Sequence, residues 1–468
     1  MPKSHKLGIH LFRRDYRLDD NLALLEACKE CESIIPVFVF TYDQIRDNPY
    51  KSNNCVQFLC ESLTDLNTQL EGRLHIYYGN VEEILVKIVK ATGATLISMN
   101  MDYTAYGAKV EKLLKDKLEV DMKLSMIIKE DIALNPMGSV RTTGGLIYTK
   151  FTPYFRAASK LPVNKPVKNK FTNYHKGSSG IPGAINITEI KKFHDNVINE
   201  HLVHRGGRSE ALKILKNIKD FKEYNDSRNN LNYKTTQLSA YNKFGCVSIR
   251  EVYWSVVNAL GKSSQILDQL YWRDFFYTLS YYNPEIYKTA LNPKWRDIKW
   301  TDDSSLFKAW CEAKTGVPIV DAAMREINKT GFMHNRARLI VSNFLVRMLN
   351  VDWRRGEHYF AKMLYDYDPA QNNFGWQVSA SVSGTESRIL DQTIYNPWLQ
   401  SMKFDMACEY IKKWMPELKD VPARDLHRWN EKGEDYIKHK GVKYIMPIVD
   451  YKSAREANLK LYRKYISK

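Results

Sequence analysis

Two periods divide the chain. Over residues 1 to about 130, short apolar or β-branched runs at 7–12, 33–40, 74–78, 95–99 and 123–128 alternate with helical patterns at 21–31, 56–70, 81–91 and 108–117. Strands alternating with helices predict a parallel sheet wound on both faces. No G-x-G-x-x-G follows the first run, so this is a Rossmann-like layer without the usual phosphate loop. From 131 to 205 the pattern breaks up. Thr142-Thr143-Gly144-Gly145 and the run KPVKNKFTNYHKGSSGIPG are rich in Gly, Pro, Ser and Lys, which reads as an interdomain connector. From 206 onward only helical spacing recurs, at 210–217, 249–259, 265–281, 318–328, 335–350 and 404–414, with no fixed repeat. The expectation is α/β for residues 1–130, a linker over 131–205 and an all-α domain over 206–468.

One stretch of that helical half stands out. From Gly331 the chain reads GFMHNRARLIVSNFLVRMLNVDWRRGEHYF, with no Gly or Pro until Gly356, which predicts one long helix. Arg336 and Arg338 lie roughly 200° apart around such a helix and serve different surfaces. DYDPAQNNFGWQ follows, read as an acid-rich loop beside aromatics that sets Asp366 and Asp368 ahead of Asn372-Asn373 and Gly375-Trp376.

At 468 residues the chain is long enough for two or three domains. Lys and Arg outnumber Asp and Glu by 70 to 53, a surplus of 17 that fits a polyanionic partner such as nucleic acid. Seven cysteines show no framework spacing. Cys28 and Cys31 form a C-x-x-C without a second pair, so reduced thiols and an intracellular protein are expected, in cytoplasm or nucleus, with no metal site. The apolar N-terminal segment is too short for a signal peptide, and no stretch approaches membrane-spanning length. All ten tryptophans lie at or beyond Trp254, which puts the aromatic chemistry in the C-terminal half.

The pattern MHNRARL…DW…G…YF…L.D.DPA.NN.GWQ resembles the flavin-binding signature of the DNA photolyase and cryptochrome family, and the likeness runs over nearly the whole chain. It implies an α/β antenna domain followed by an all-α FAD-binding domain. Thr235-Thr236-Gln237-Leu238-Ser239 resembles the family's flavin diphosphate loop, with Thr236 and Gln237 in place of the usual Ser and Arg. Hydroxyls and free N–H groups ahead of a helix suit such an anion. The resemblance further implies that Tyr224, Arg273, Arg338, Asp366, Tyr367, Asp368 and Asn372 contact the flavin. Among these, Arg338 and Asp366 form a buried ion pair, and Asn372 stands opposite flavin N5. Trp376, Trp353 and Trp300 match the chain that passes electrons from the surface to the flavin. Arg228, Gln269, Trp272, Asn335, Arg336, Gln377, Gln400 and Lys403 match DNA-facing positions, Gln269 also within the reaction pocket. Trp272 would be one wall of a pocket that stacks on a flipped-out base. LFRRDYRLDDNLAL, with Arg13, Arg14, Asp15 and Arg17, resembles the segment that orders the family's domain contact.

The implied activity is a carbon–carbon lyase reaction, light-driven reversal of cyclobutane pyrimidine dimers in UV-damaged DNA by electron transfer from reduced FAD. The expected protein is a soluble monomer. Asn335 and Leu339 occupy the places of the histidine pair used on (6-4) photoproducts, while Gln269 is typical of that branch, so (6-4) repair is the first alternative. A cryptochrome-type blue-light receptor is the second. A second antenna chromophore, a folate or a deazaflavin, is left open. Gly107 stands where folate-binding relatives carry a carboxylate, which counts against folate.

Overall fold

The computed structural model describes residues 3–177, 182–384 and 393–466. The chain forms two compact units, one made of Met1–Asn199, His204–Lys222 and Thr236–Pro284, the other of Glu200–Val203, Glu223–Thr235 and Glu285–Lys468.

The first unit is built on five parallel strands: β1 (His5–Phe12), β2 (Cys31–Phe40), β3 (His75–Tyr78), β4 (Leu96–Asn100) and β5 (Ser125–Lys129), in the order β3-β2-β1-β4-β5. Ile9 pairs with Ile35 on one side and Ile97 on the other, so the middle of the sheet is a continuous apolar row. Such rows read as unbroken hydrophobic runs because helices cover both faces. The covering helices are α1 (Leu22–Glu30), α2 (Asn53–Gln69), α3 (Val81–Thr92) and α4 (Ala105–Leu114). Asn21, Ser52 and Thr104 cap α1, α2 and α4 by accepting a backbone N–H with their side chains. Strands and helices lie within a few residues of the spans read from periodicity.

The stretch expected as a connector is more ordered than its composition implies. It contains α5 (Phe151–Ala158), and Tyr174 and Ile185 form single bridges with Ile34 of β2 and Ile76 of β3. Val163, Tyr174, Ile190 and Phe193 are buried, and these anchors hold a polar-rich strap against the layer. Residues 178–181 of its Gly/Ser run lie outside the described residues.

This unit also contains α6 (Ser239–Phe244), α7 (Ile249–Leu260) and α8 (Gln265–Tyr282). A buried ion network ties α7 to the turn after β1. Arg17 and Arg250 share the Asp131 carboxylate, Arg250 also pairs with Asp20 at 2.8 Å, and Arg208 bridges Glu251 at 2.7 Å and Asp19 at 3.0 Å. Breaking such a network by removing one partner costs several kcal/mol, on the order of 3–5, because a buried charge is left alone. The charged turn is therefore a structural joint within this unit.

The second unit is helical. Its core gathers α9 (Pro318–Thr330), α10 (Asn335–Asn343), α11 (Trp353–Met363), α12 (Pro369–Ser379), α13 (Pro397–Phe404) and α14 (Glu409–Trp414) around Trp310, Trp376, Trp429 and Tyr462. Two expectations are corrected here. The single helix from 331 to 356 is two helices: α10 widens into an i→i+5 turn over Phe344–Met348, Asn350 takes a left-handed φ of 53°, and Asp352 caps α11 by accepting the Arg354 N–H at 3.0 Å. Asn and Asp punctuate this chain as firmly as Gly or Pro would. Likewise the run 404–414 breaks at Asp405, whose carboxylate accepts the N–H groups of Tyr410 and Ile411 and starts α14 anew.

Candidate functional site

In the second unit, the acid-rich stretch is not a solvated loop. Asp368 caps α12 by accepting the N–H groups of Ala370 and Gln371 at 3.1 and 3.3 Å, with Pro369 at the first helical position. That cap sets the direction of α12 and hence of Asn372 and Trp376, one and two turns along. Two residues before the cap, Asp366 accepts both contacts of the Arg338 Nη2, at 2.9 and 3.1 Å, while Arg338 Nε donates to the Met333 carbonyl at 2.8 Å. The pair is lopsided: the Asp366 side chain is 2% exposed, that of Arg338 26%. The expected fully buried pair is thus a buried carboxylate holding a half-open guanidinium.

Arg336 does point elsewhere, as the helical spacing required. Its Nε and Nη2 donate to Asn229 Oδ1 at 3.2 and 2.7 Å, and its guanidinium lies 4.4 Å over the Phe404 ring. Lys403, exposed on α13, reaches the same ring at 5.5 Å. Asn335 is exposed at the start of α10. Between them, His334 caps α10: its Nδ1 accepts the Arg336 N–H at 3.1 Å, so the ring proton sits on Nε2. Burial and the neighbouring Arg338 and Arg336 push this imidazole down to about 4, which keeps it neutral. Its buried Nε2–H has no acceptor among the described residues.

Asn372 is half-buried on α12. Its Nδ2 donates to the Glu357 carbonyl and carboxyl, both at 3.0 Å. Glu357 is buried on α11, and burial pushes its carboxyl up to about 7. A Cβ at Gly375, one turn beyond Asn372, would meet no neighbouring atom within 4 Å, so this face of α12 is open. A half-open guanidinium and a held amide suit a polar, planar ring system such as a flavin, and Arg338, Asp366, Asp368 and Asn372 are the residues that would hold one.

Trp353 and Trp376 are each 2% exposed and Trp300 is half-buried, all packed in or against one core. Trp376 meets Phe360 edge-on at 5.0 Å and Trp310 at 6.0 Å. Gly356 makes this possible, since a Cβ there would fall 2.2 Å from Trp376. Thr301 bridges Val351, which fixes Trp300 near the start of α11.

Other expected residues of this unit are less engaged or differently used. Tyr224 is buried, while Arg228, Thr235, Tyr367 and Gln400 are half-buried. Gln377, read as DNA-facing, is wholly buried: its Nε2 donates to Asn373 Oδ1 and the Ile286 carbonyl, and its Oε1 accepts the Leu291 N–H at 2.8 Å. Every amide group is spent inside, so Gln377 is a structural clamp. The sequence carried no sign of this, because a polar residue after Trp reads as surface.

In the first unit, Gln237 takes a left-handed φ of 51° and pairs its side-chain oxygen with His204 Nε2 at 2.9 Å, Thr236 is half-buried, Leu238 is buried, and Ser239 opens α6 exposed. On α8, Gln269 Nε2 donates back to the Gln265 carbonyl at 3.3 Å. Arg273 spends its guanidinium on the carbonyls of Ile132 and Asn242, 2.6 and 3.2 Å away, and covers the Tyr277 ring. Beside it, Asp274 accepts the Leu134 N–H at 2.8 Å, and burial pushes its carboxyl up to about 7. Trp272 is half-buried and stacks on Phe151. Gly107 on α4 has no room for a side chain, since a Cβ would fall 2.5 Å from the Asp102 carbonyl oxygen. The carboxylate that folate-binding relatives carry there is sterically shut out by this backbone.

Sequence reasoning missed Glu357, His334, Asn229 and Phe151. Glu357 had a signal: it follows Trp353 and Gly356 on the face of α11 that Phe360 continues. The others are joined to their partners only by the fold.

The family model described as DNA photolyase matches residues 8–169, and the model described as the FAD binding domain of DNA photolyase matches residues 266–464. A deoxyribodipyrimidine photo-lyase of Agrobacterium fabrum is 32% identical, with 96% of each chain covered. An archaeal photolyase from Sulfolobus tokodaii, solved with two FAD molecules, superposes with a TM-score of 0.85 at 34% identity, covering 98% of this chain and all of that one. A Synechocystis cryptochrome superposes at 0.86 over 98% of this chain and 100% of its own, but at 24% identity that likeness concerns the fold alone. A parallel α/β layer, a match to an FAD binding domain and full-length kinship to photolyases define the class. The chain belongs to the DNA photolyase family.

Proposed function

We propose that this chain is a DNA photolyase that uses blue light to reverse cyclobutane pyrimidine dimers in UV-damaged DNA. The observation that carries the reading is the half-open Arg338 guanidinium held by the buried Asp366 carboxylate; the Glu357-held amide of Asn372, on a helix left open at Gly375, supports it. FAD, bound and reduced, supplies the light-driven electron for opening the dimer and takes it back, with no net redox change. Asp366 orients the half-open Arg338 guanidinium, a fixed positive charge where the ring carries a negative one. Glu357 holds the Asn372 amide so that its oxygen, not its nitrogen, is turned outward. Thr235, Thr236, Gln237, Leu238 and Ser239 hold the diphosphate, with a hydroxyl-rich loop serving where an Arg is missing. Tyr224, Tyr367 and Arg273 are the remaining cofactor contacts. Trp376, Trp353 and Trp300 carry electrons inward from the surface.

Arg336 and Lys403, sharing the Phe404 ring, meet DNA phosphates together with Arg228. Trp272 stacks on the extruded lesion with Gln269 beside it on the same helix, and Asn335 and Gln400 are DNA-facing residues of the second unit. Residues 1–130 act as the antenna domain and 206–468 as the FAD-binding domain, with the protein working as a monomer. Among the described residues no helix is long and apolar enough to cross a membrane. The S. tokodaii relative's second FAD makes a flavin the antenna to test first, since Gly107 leaves no space for a folate-type carboxylate.

The test is product formation by the FAD-loaded, reduced protein on one oligonucleotide with a cyclobutane thymine dimer and one with a (6-4) lesion, under blue light and in the dark. Light-dependent reversal of the first alone is expected. Reversal of the second alone would replace the lesion assignment. A protein that photoreduces its flavin and reverses neither would be a light sensor.

A further inference from the structure

Phe151 opens α5, far in sequence from Trp272 on α8, yet the two rings lie 3.6 Å apart at 10°, a face-to-face stack. Phe155, one turn along α5, continues the stack at 5.7 Å and 23°. Beneath it the packing is of a different kind: Tyr154 and Phe275 are buried to 2% and 0% and meet at 5.2 Å, a closed core contact. Phe155, Phe151, Trp272 and Phe276 are all half-exposed. A ladder serving only to pin α5 to α8 would sit in the buried layer with Tyr154 and Phe275. This one stands above that layer, at the surface of the unit.

The stack has a geometric consequence for any ring that docks there. A nucleobase needs about 3.4 Å on the indole face it stacks on, and Phe151 already occupies that distance on one side. Phe276, tilted by 49° at 5.4 Å, and Phe275, edge-on at 5.9 Å, border the indole without lying parallel to it. One face is thus closed and one plane is imposed. Arg156 and Lys160, exposed on and just after α5, add the positive charge that a phosphate backbone requires.

We infer that Phe151 is a positioning residue for lesion recognition: by backing one face of Trp272 it fixes the plane of the indole and leaves a single face on which an unstacked nucleobase docks. The inference rests on the repair reading above, in which Trp272 receives the extruded lesion. Without Phe151 the indole gains rotamer freedom, and stacking then requires it to be ordered at each binding event.

The experiment measures dark binding of the FAD-loaded full chain to two oligonucleotides, identical except that one contains a cyclobutane thymine dimer. Phe151→Leu keeps an apolar residue and removes the stack; Phe151→Tyr restores an aromatic face. For Phe151→Leu, the Kd for lesion DNA rises about tenfold, within the range of a single base-stacking contact, while the Kd for undamaged DNA and the FAD content stay as in the parent. Phe151→Tyr returns lesion binding to within about twofold of the parent. The inference is overturned if Phe151→Leu binds lesion DNA as the parent does, if it loses both oligonucleotides equally, or if Phe151→Tyr fails to restore binding. A parent protein that does not distinguish the two oligonucleotides sinks the repair reading and the inference with it. A discriminating parent with an unaffected Phe151→Leu sinks the inference alone.

Discussion

Asn372 donates its side-chain amide to Glu357 twice, to the backbone carbonyl and to the carboxyl, at 3.0 Å each. The carboxyl is raised by burial to about 7, so its charge changes around neutral pH. Ionised, it holds Nδ2 through a charge-assisted bond and keeps Oδ1 turned away. Protonated, it becomes a donor itself and that hold weakens. The charge-assisted part of the hold is therefore present above about pH 7 and lost as pH falls through it, while the bond to the backbone carbonyl remains. Light-dependent repair should decline below that point, and Glu357→Gln, which cannot ionise, should flatten the profile. Glu357→Ala should lower the rate about tenfold above that point, roughly the worth of one hydrogen bond to a charged group, and less below it, while retaining FAD. A profile unchanged in Glu357→Gln would mean that this carboxyl does not govern Asn372.

Asp274 gives a pH effect on stability instead. Its carboxyl rises from 3.8 to about 7 in the folded protein because it is buried. Between those values the native state holds a proton that the unfolded chain has released, so stability from this group falls as pH rises from about 4 to 7. A shift of three units corresponds to at most about 4 kcal/mol. Asp274→Asn should remove most of that slope. Chemical denaturation at pH 5 and pH 8 checks it: the difference between the two pH values should be smaller in the variant than in the parent.

Gly356 and Trp376 couple α11 to α12 by contact. Gly356→Ala would place a methyl 2.2 Å from the indole and 2.7 Å from Leu345. Overpacking of this kind costs about 1–3 kcal/mol. The expected result is a Tm several degrees lower and a slower photoreduction of bound FAD, read by scanning calorimetry and absorbance. An unaltered Tm would mean the helices part without cost.

The α/β layer was legible in the sequence to within a few residues, because a sheet covered on both faces writes itself as short apolar runs and its helices as amphipathic ones. Where periodicity failed, small polar residues were ending helices. Asn350 and Asp352 split a helix that has no Gly or Pro, and Asp405 restarts one in the middle of an apolar run. The site was legible in a different manner. Arg338, Asp366 and Asn372 came from a motif, but what they touch did not. Glu357 reaches Asn372 across two helices, and His334 turns out to be a neutral cap. The DNA-facing expectation for Gln377 was undone by burial, which no local pattern encodes.

In the proposed reading, Arg336 and Lys403 are two phosphate contacts of different rigidity. Both lie against Phe404, and Arg336 is further held by Asn229, so its charge is fixed in place while that of Lys403 is exposed. Residues that contact phosphates change affinity for all DNA alike and reduce its salt dependence by about one unit of slope per contact. Arg336→Gln and Lys403→Gln should each weaken binding to damaged and undamaged oligonucleotides by the same factor, with a shallower dependence of log Kd on log salt. Arg336→Gln should do so more strongly, because the arginine gives up less side-chain freedom on binding. A loss confined to damaged DNA would instead place Arg336 at the lesion.

Arg338 and Asp366 should answer differently from either side, because their exposures differ. Arg338→Ala leaves a carboxylate 2% exposed without its cation, whereas Asp366→Asn leaves a guanidinium that still sees solvent and the Met333 carbonyl. Stranding the buried charge is the costlier change, by about 3–5 kcal/mol. The apoprotein of Arg338→Ala should unfold at a distinctly lower denaturant concentration than the parent, and that of Asp366→Asn should stay close to it. Cofactor retention should fall in both, since the guanidinium is lost in one and loses its orientation in the other. Equal stability of the two apoproteins would show that Asp366 is rescued by water or by a neighbouring donor. The lopsided pair would then owe its geometry to the ligand rather than to the fold.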